Sequence, residues 1–293
     1  MKRNSQFFLC LTLIFLVVCQ PAFSQEPEDI VIERDNVILK GKFYKAANDN
    51  IKPVVILLQG SPGNTIDVLG LGRLLSMSGI NAMTFNYSGS HQSTGTFSFP
   101  NCQSDIEATL RFLHRTDVIG KFRIDTAAIV LAGYSFGGGM ATAYAVRHRE
   151  IKKLISIAGM DWGIFFDQYR SNPEIKSRLD ASIDNSIAAG IFRFEPGYMP
   201  KDIGSGQRVL DPSYYTSRNA AALAEKDFLI IGGLNDVNVT MEEYILPLYN
   251  ALQDMKAPNV QLSTFEDNHT FSQSREKVSQ TICDWINKRQ IDQ

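Results

Sequence analysis

Six strand-like segments, most of them followed by a helical pattern, constrain the fold of this chain more than any other feature. The majority are nearly continuous runs of β-branched residues, leucine and alanine, which is typical of strands buried on both faces of a sheet. They are Pro53–Gln59, Asn81–Tyr87, Ala127–Gly133, Lys153–Gly159, Asp227–Gly233 and Val260–Phe265. Strands that alternate with helices predict an α/β fold, a mainly parallel sheet with helices on both faces.

Two further strands and one interruption complete the predicted architecture. Asp29–Tyr44 alternates as two half-buried antiparallel strands with a turn at Asp35 and Asn36, which brings the sheet to eight strands. The alternation stops at about residues 160–226, a stretch longer than an ordinary loop, and then resumes. We therefore expect one α/β domain over residues 25–293 with a small helical cap or lid inserted in it.

Residues 1–24 have the features of a secretory signal peptide. Lys2 and Arg3 precede an apolar run from Phe7 to Cys19, and Ala22 and Ser24 provide small residues before a cut ahead of Gln25. The apolar run is short for a membrane span, although a retained N-terminal anchor and lipoprotein cleavage before Cys19 are alternatives. We expect export, with no membrane span after cleavage.

The overall charge and the metal-binding residue types limit the partners. The formal net charge is −2 with 20% charged residues, which gives no electrostatic reason to expect nucleic acid or an anionic membrane as partner. No cluster of histidine and cysteine suggests a metal site, and no cofactor is implied. Of the cysteines beyond the signal peptide, Cys102 and Cys283, we predict that both are buried thiols, with pairing in an oxidising compartment as the alternative.

The pentapeptide Gly133-Tyr-Ser-Phe-Gly137 lies between a predicted buried strand and a helix of small residues. A serine at such a tight turn is exposed at the carboxyl edge of the sheet, and glycines two residues to either side avoid steric clashes. The N terminus of the following helix favours negative charge at the same place. This context predicts Ser135 as a catalytic nucleophile, the alternative being a serine with only a packing role.

A serine nucleophile needs a histidine base, and the chain contains four histidines. His269 lies in the loop after the strand Val260–Phe265, at the edge of the sheet where such sites form, and we predict it as the base. His91, in the loop after an earlier strand, is the alternative. His114 and His148 lie in predicted helices away from this edge.

The third catalytic residue is a carboxylate that orients the base. Asp236 follows the strand Asp227–Gly233, which gives the chain order Ser135, Asp236, His269 that is expected of this arrangement. Asp161, after the preceding strand, is the rival acid, or else a carboxylate at the hinge of the insert. Asp267 is interpreted as a surface charge of the loop.

Two backbone N–H groups are needed to stabilise the oxyanion that forms during acyl transfer. We predict those of Phe136, directly after the nucleophile, and of Ser61, in the turn after the strand Pro53–Gln59. Gly60 and Gly63 flank that turn and allow its backbone to approach a substrate closely.

Taken together, these segments resemble the α/β-hydrolase-fold serine hydrolases, in particular their exported esterase, dienelactone-hydrolase and prolyl-oligopeptidase-like members. The resemblance extends from about Asp29 to the C terminus, apart from the insert. Two positions depart from the family pattern. Gln59 stands where His is frequent before the glycine, and Ser88-Gly89-Ser90-His91 replaces Arg-Gly-x-Gly, which leaves open how the oxyanion loop is braced.

The resemblance implies a secreted serine hydrolase that cleaves a carboxylic ester or related acyl bond of a small molecule. A peptidase of the prolyl-oligopeptidase type and a non-catalytic binding protein on the same fold are the alternatives. Aromatic residues of the insert could cover an apolar acyl pocket or form the insert's own core; they include Phe165, Phe166, Phe192 and Phe194. The sequence does not determine the substrate or the oligomeric state.

Overall fold

The sheet has eight strands, as the sequence predicts. The computed structural model describes residues 26–47, 50–64 and 66–291. The strands are β1 (Glu28–Arg34), β2 (Val37–Tyr44), β3 (Lys52–Leu58), β4 (Asn81–Phe85), β5 (Ile124–Tyr134), β6 (Lys153–Ile157), β7 (Asp227–Gly233) and β8 (Val260–Phe265). Their spatial order is β1-β2-β4-β3-β5-β6-β7-β8. Strand β2 pairs antiparallel with both neighbours, and every later pairing is parallel.

Helices cover both faces of this sheet. The helices are α1 (Leu71–Met77), α2 (Phe99–Leu113), α3 (Thr116–Phe122), α4 (Phe136–Arg147), α5 (Trp162–Ser171), α6 (Pro173–Ala188), α7 (Pro200–Gly204), α8 (Ala220–Leu223), α9 (Leu246–Asp254) and α10 (Arg275–Ile291). Helices α1 and α10 pack together on one face, whereas α2, α4, α8 and α9 form a connected layer on the other. The central strands β3 and β6 are therefore buried along nearly their whole length, and the α/β fold class predicted from their composition is confirmed.

Several helix boundaries differ from the predicted ones for local reasons. The helical pattern over Thr65–Ser78 becomes a helix only at Leu71, because Gly70 adopts a left-handed backbone conformation with φ of 78°. The pattern over Met241–Met255 divides into a π-helical turn at Met241–Ile245 and α9, near Pro247, which has no N–H to donate. The short helix α3 was not predicted.

The insert is built mainly from helices α5 to α8. Asp161 caps α5 by accepting a hydrogen bond from the Ile164 N–H, and Asn172 caps α6 by accepting from Glu174 and Ile175. Isolated β-bridges join Phe192 to Ser90 and Phe194 to Phe97. The insert is thereby attached to the loop that follows β4.

Two predictions concern the N terminus and the cysteines. The predicted signal peptide, residues 1–24, lies outside the described residues. Within the residues that are described, no helix has the length and apolar character needed to cross a membrane. Cys102 in α2 and Cys283 in α10 are both buried and unpaired.

Candidate active site

Ser135 occupies a strained turn between β5 and α4. Its φ and ψ are 53° and −114°, a backbone conformation that side chains other than glycine rarely adopt. The turn is as tight as the glycine pattern predicts, because a Cβ on Gly133 would come within 2.2 Å of the Gly137 carbonyl oxygen. A Cβ on Gly137 would come within 2.4 Å of the Leu58 carbonyl oxygen. Neither position can hold an alanine without moving backbone.

Two free backbone amides face this turn from different elements. Phe136 is the first residue of α4, so its N–H has no acceptor within the helix. The Ser61 N–H, in the turn after β3, likewise donates to no acceptor in the described part of the chain. The turn lies close to the nucleophile, because a Cβ on Gly60 would be 3.5 Å from the Ser135 Cβ. These are the two amides predicted for oxyanion binding.

His269 and Asp236 lie in line with Ser135. The distance from His269 Nε2 to Ser135 Oγ is 2.9 Å, and that from His269 Nδ1 to Asp236 Oδ2 is 2.6 Å. The other Asp236 oxygen, Oδ1, accepts hydrogen bonds from the N–H groups of Asn238 and Val239. The Asp236 side chain has no exposed surface, whereas His269 retains 17% of its own. The carboxylate is thus fixed and dry, and the imidazole remains accessible from the cleft.

The loop that carries His269 is held by Asp267. This residue is only 3% exposed, and its carboxylate accepts hydrogen bonds from the N–H groups of Asn268 and Gln273. The desolvation of Asp267 raises its pKa, but these donors outweigh that effect and hold the pKa below its usual value. The prediction of a surface charge was therefore wrong, because the carboxylate closes the turn on either side of His269.

Tyr134 forms one wall beside the imidazole. Its ring lies 5.1 Å from that of His269, and it also contacts the position of Gly60. Burial, assisted by the nearby negative charge of Asp236, raises the pKa of the Tyr134 phenol above its usual value. Tyr134 therefore stays neutral and limits the movement of the His269 ring.

Asp161, the alternative acid, makes its hydrogen bonds to residues of the insert. Its Oδ1 accepts from the Ile164 N–H at 3.1 Å, and its Oδ2 accepts from the Thr216 hydroxyl and from both the N–H and hydroxyl of Ser217. These partners belong to the beginning and the end of the insert. The carboxylate connects the two ends of the insert and makes no contact with His269.

His91, the alternative base, contacts the oxyanion loop instead of Ser135. Its Nε2 lies 3.1 Å from the Pro62 carbonyl oxygen, so the ring donates a hydrogen bond to the residue after Ser61. Gln59 at the start of the same turn donates to the Thr84 hydroxyl at 2.9 Å. The two departures from the family pattern are therefore the two residues whose side chains brace this turn.

A buried ion pair supports the loop that carries His91. Asp105 of α2 is completely buried and accepts hydrogen bonds from the N–H and hydroxyl of Ser88 and from Arg34 Nε. Arg193 of the insert donates to the carbonyl oxygens of His91 and Ser93. These contacts have no local signature in the sequence, because the partners are 17 to 102 residues apart.

The remaining two histidines lie away from the site. His114 Nδ1 is bonded to the Leu110 carbonyl within α2, and His148 Nδ1 to the Glu150 carboxylate at 2.7 Å. Neither contacts Ser135, as expected from their helical positions.

A cavity of about 230 Å³ adjoins the cleft on the side of the insert. Met160, whose N–H donates to the Ser135 carbonyl, and Asn238, whose N–H donates to Asp236, both line it. Of the four aromatic residues predicted for an acyl pocket, Phe165 lines this cavity. Phe166 is fully buried against Phe99 and Trp162, and Phe192 and Phe194 pack on Phe97.

Within residues 26–47, 50–64 and 66–291, no group of three or more histidine, cysteine or acidic side chains is arranged to hold a metal ion. The polar groups around Ser135 bond to each other or to backbone. Chemically, the arrangement can activate a serine hydroxyl and stabilise an oxyanion next to it.

Comparison with known proteins gives matches in structure only. No protein-family model matches the sequence, and no curated protein matches it. Among solved structures, Est1E from Butyrivibrio proteoclasticus is similar with a TM-score of 0.64 and 18% identity over 90% of this chain and 99% of that one. Est1E with ferulic acid bound is similar with a TM-score of 0.59 and 20% identity over 90% of this chain and 100% of that one.

Two structures from Pyrococcus species are similar to the same extent. The esterase Pf2001 from Pyrococcus furiosus has a TM-score of 0.62 and 19% identity over 90% of both chains. The acylaminoacyl peptidase of Pyrococcus horikoshii has a TM-score of 0.64 and 16% identity over 90% of this chain but only 41% of its own. At these identities the similarity establishes the fold, which is that of the α/β hydrolases.

Proposed function

We propose that the protein is a serine hydrolase that cleaves carboxylic esters or related acyl bonds of small molecules. One observation carries the proposal: the continuous hydrogen-bonded series Ser135, His269, Asp236, at distances of 2.9 and 2.6 Å, at a strained turn. Structural similarity to esterases supports it at the level of the fold. The alignment of nucleophile, base and carboxylate is what acyl transfer through a serine requires.

Acylation begins with proton transfer from Ser135 to His269. Because His269 donates its Nδ1–H to the buried Asp236, its Nε2 is the acceptor that faces the serine hydroxyl. As Ser135 Oγ attacks the substrate carbonyl carbon, His269 takes the hydroxyl proton and becomes an imidazolium. Asp236 stabilises that cation, and His269 then donates the proton to the departing alcohol oxygen.

The negative charge that develops on the carbonyl oxygen is stabilised by the N–H groups of Ser61 and Phe136. Both amides lack a protein acceptor among the described residues, so they are available to the oxyanion. The N terminus of α4 adds favourable electrostatic potential. Each such donor contributes about 10²–10³-fold to the rate of acyl transfer.

Deacylation repeats these steps with water in place of the serine. His269 removes a proton from a water molecule, which attacks the acyl carbon of the ester formed with Ser135. The tetrahedral intermediate collapses, Ser135 regains its proton from His269, and the carboxylic acid is released. The side chains of this chain suffice for each proton transfer.

The cavity beside Phe165 is the proposed binding site for part of the substrate. Its walls combine apolar side chains with the polar residues Asn238, Glu243 and Arg178. One structural neighbour is described with ferulic acid, an aromatic carboxylic acid, bound. Methyl ferulate therefore belongs in the substrate panel beside p-nitrophenyl esters of graded acyl length.

The decisive test is hydrolysis of p-nitrophenyl acetate by Ser135→Ala. We expect kcat/KM to fall by at least about 10⁴-fold, because the attacking atom is absent. Ser104→Ala is the matched control, since Ser104 is half-buried on α2 and bonds only to the Pro100 carbonyl within its own helix. Activity of Ser135→Ala equal to that of the control would refute the proposal.

Two further measurements separate the alternative functions. Turnover of methyl ferulate and p-nitrophenyl esters without turnover of the corresponding p-nitroanilides supports an esterase, and preference for anilides supports a peptidase. A fluorophosphonate reagent forms a covalent adduct with an activated serine. Failure to label Ser135 in the native protein supports a non-catalytic binding protein.

Export is part of the proposal and rests on residues 1–24 alone. The expectation is a mature chain that begins at Gln25 and is found outside the cytoplasm. N-terminal sequencing of protein recovered from the extracytoplasmic fraction of expressing cells tests it, and recovery of chains beginning at Met1 contradicts it.

A further inference from the structure

We propose that a second cavity, at the amino end of the sheet, binds a small carboxylate with an apolar body. The cavity lies between α2, α4 and the first residues of β5 and β6, and its volume is about 460 Å³. Ser135 and His269 are at the opposite, carboxyl end of the same strands. The proposed site is therefore separate from the one assigned to ester hydrolysis and does not depend on it.

The walls of this amino-end cavity are largely apolar. They are formed by Leu110 of α2, Ala127 and Ile129 of β5, Ile151, and the ring of Tyr144 from α4. The volume lies within the range of about 300–1,000 Å³ that is usual for small-molecule sites. An apolar ligand body of aryl or short-chain alkyl type fits these walls.

Lys153 supplies a positive charge that has no protein partner. The residue is only 3% exposed and lines the cavity. Among the described residues, its ammonium donates no hydrogen bond, and no carboxylate lies within 4.0 Å of it. The ammonium nitrogen itself still reaches solvent, so an anion bound in the cavity can pair with it directly.

Lys226, a second buried lysine nearby, has an ammonium whose hydrogen bonds are made to the protein itself. Lys226 is 4% exposed, and its Nζ donates to the carbonyl oxygens of His148 and Ile151 at 3.0 and 2.8 Å. The chain therefore provides backbone acceptors for one buried ammonium and none for the other. This difference indicates that the partner of Lys153 comes from outside the chain.

Tyr144 provides a second unused donor on the same cavity. The residue is 2% exposed, its ring stacks on His148 at 3.8 Å, and its hydroxyl makes no hydrogen bond to any described residue. A hydroxyl and an ammonium that both lack acceptors favour a ligand that accepts hydrogen bonds and carries negative charge.

The other charges on the cavity do not change this preference. Glu107 is paired with Arg111, and Glu150 with His148. Lys152 and His114 complete the charged and titratable groups of the lining. Three basic side chains of the lining, Arg111, Lys152 and Lys153, outnumber its two carboxylates, and this positive balance selects an anion over a cation.

The test uses 4-phenylbutyrate as the probe and its uncharged analogue 4-phenylbutanamide as the comparison. Ligand-observed NMR titration of the whole protein should give a dissociation constant of about 1 mM or tighter for the carboxylate. Lys153→Met, which keeps an unbranched side chain one atom shorter and removes the charge, should weaken that binding at least about tenfold. Tyr144→Phe should weaken it about twofold to fivefold.

Controls separate a binding role of Lys153 from a structural one. Lys277→Met makes the same change of charge at an exposed position of α10 and should leave binding unchanged. Lys153→Met should leave the melting temperature close to that of the wild type, because the ammonium reaches solvent and has no protein hydrogen bond to lose.

Three results would overturn the proposal. They are no binding of 4-phenylbutyrate by the wild type at 10 mM, equal binding by Lys153→Met, and equal affinity for the amide. Binding at the catalytic cleft gives the second result, since that cleft lies at the other end of the sheet. Lowered stability of Lys153→Met would also count against it, as the sign of a lysine that supports the fold.

Discussion

The loops after β6 and β7 each place a buried aspartate at the carboxyl edge of the sheet, yet the two carboxylates have different partners. Asp161 is 1% exposed and Asp236 is 4% exposed. Both carboxylate oxygens of Asp161 accept hydrogen bonds from N–H and hydroxyl groups of the insert. Asp236 uses one oxygen for backbone N–H groups of its own loop and directs the other to His269.

The difference shows that burial and position at this edge do not by themselves bring a carboxylate into contact with His269. The two aspartates differ in the direction from which the second carboxylate oxygen can accept a hydrogen bond. Asp161 lies at the start of a long insert, and its carboxylate accepts hydrogen bonds from donors at both ends of that insert. Asp236 follows a short turn that leaves one oxygen facing the loop after β8.

The largest expected effect comes from breaking the Asp236 contact. Asp236→Asn keeps the shape of the side chain but can present an N–H to Nδ1, which favours the wrong imidazole tautomer. We expect kcat for p-nitrophenyl acetate to fall by about 10⁴-fold. Steady-state kinetics measure the effect, with circular dichroism to verify folding. A loss below about tenfold would remove Asp236 from the proposed mechanism.

A smaller effect is expected from His91, which acts through the oxyanion loop and is a positioning residue. His91→Ala removes the hydrogen bond to the Pro62 carbonyl, so the Ser61 N–H is less well placed. We expect kcat to fall by about tenfold with KM little changed, less than the 10²–10³-fold that accompanies outright removal of an oxyanion donor.

The matched control for this variant is His114→Ala, since His114 directly follows α2 and its ring bonds only to the Leu110 carbonyl of that helix. It should leave kcat unchanged. A fall in kcat of more than 10³-fold for His91→Ala would instead support His91 as the base.

The smallest effect on catalysis is expected from Asp161, whose role is to join the ends of the insert. Asp161→Asn replaces a carboxylate that accepts four hydrogen bonds by an amide that cannot accept all of them. We expect stability to decrease by about 2 kcal/mol and kcat to change by less than about threefold. Urea unfolding and ester hydrolysis measure the two quantities on the same protein. Stability equal to wild type with a large loss of kcat would reverse the roles assigned to the two aspartates.

The predicted elements that agree best with the structure are those with strong periodicity. Strands β7 and β8 have the predicted bounds, and Ser135 lies at the predicted strand-to-helix turn. The apolar run of β7 ends at Gly232 and Gly233, and β8 is followed by the acidic residues Glu266 and Asp267, so residue type marks the end of each strand. By contrast α1 starts six residues late, at a left-handed glycine that the helical pattern did not reveal.

Parts of the site could not be predicted from the sequence where the hydrogen-bond partners are far apart in the chain. Asp267 lies two residues from His269, and its charge suggested exposure, but the turn it closes only exists once β8 is packed. The hydrogen bond from His91 to Pro62 joins residues 29 positions apart in the loops after β4 and β3. Strands β3 and β4 are adjacent in the sheet, and that adjacency brings the two loops together.

The sequence by itself determined the α/β class, the eight strands and the order Ser135, Asp236, His269, because buried strands and tight turns have local signatures in residue type and spacing. The tertiary structure decided which aspartate meets the histidine and which side chains brace the oxyanion loop. It also decided that the Lys226 ammonium bonds to backbone carbonyl oxygens while that of Lys153 has no partner among the described residues. Hydrogen-bond partners depend on the directions of side chains from strands far apart in sequence, and only the assembled sheet sets those directions.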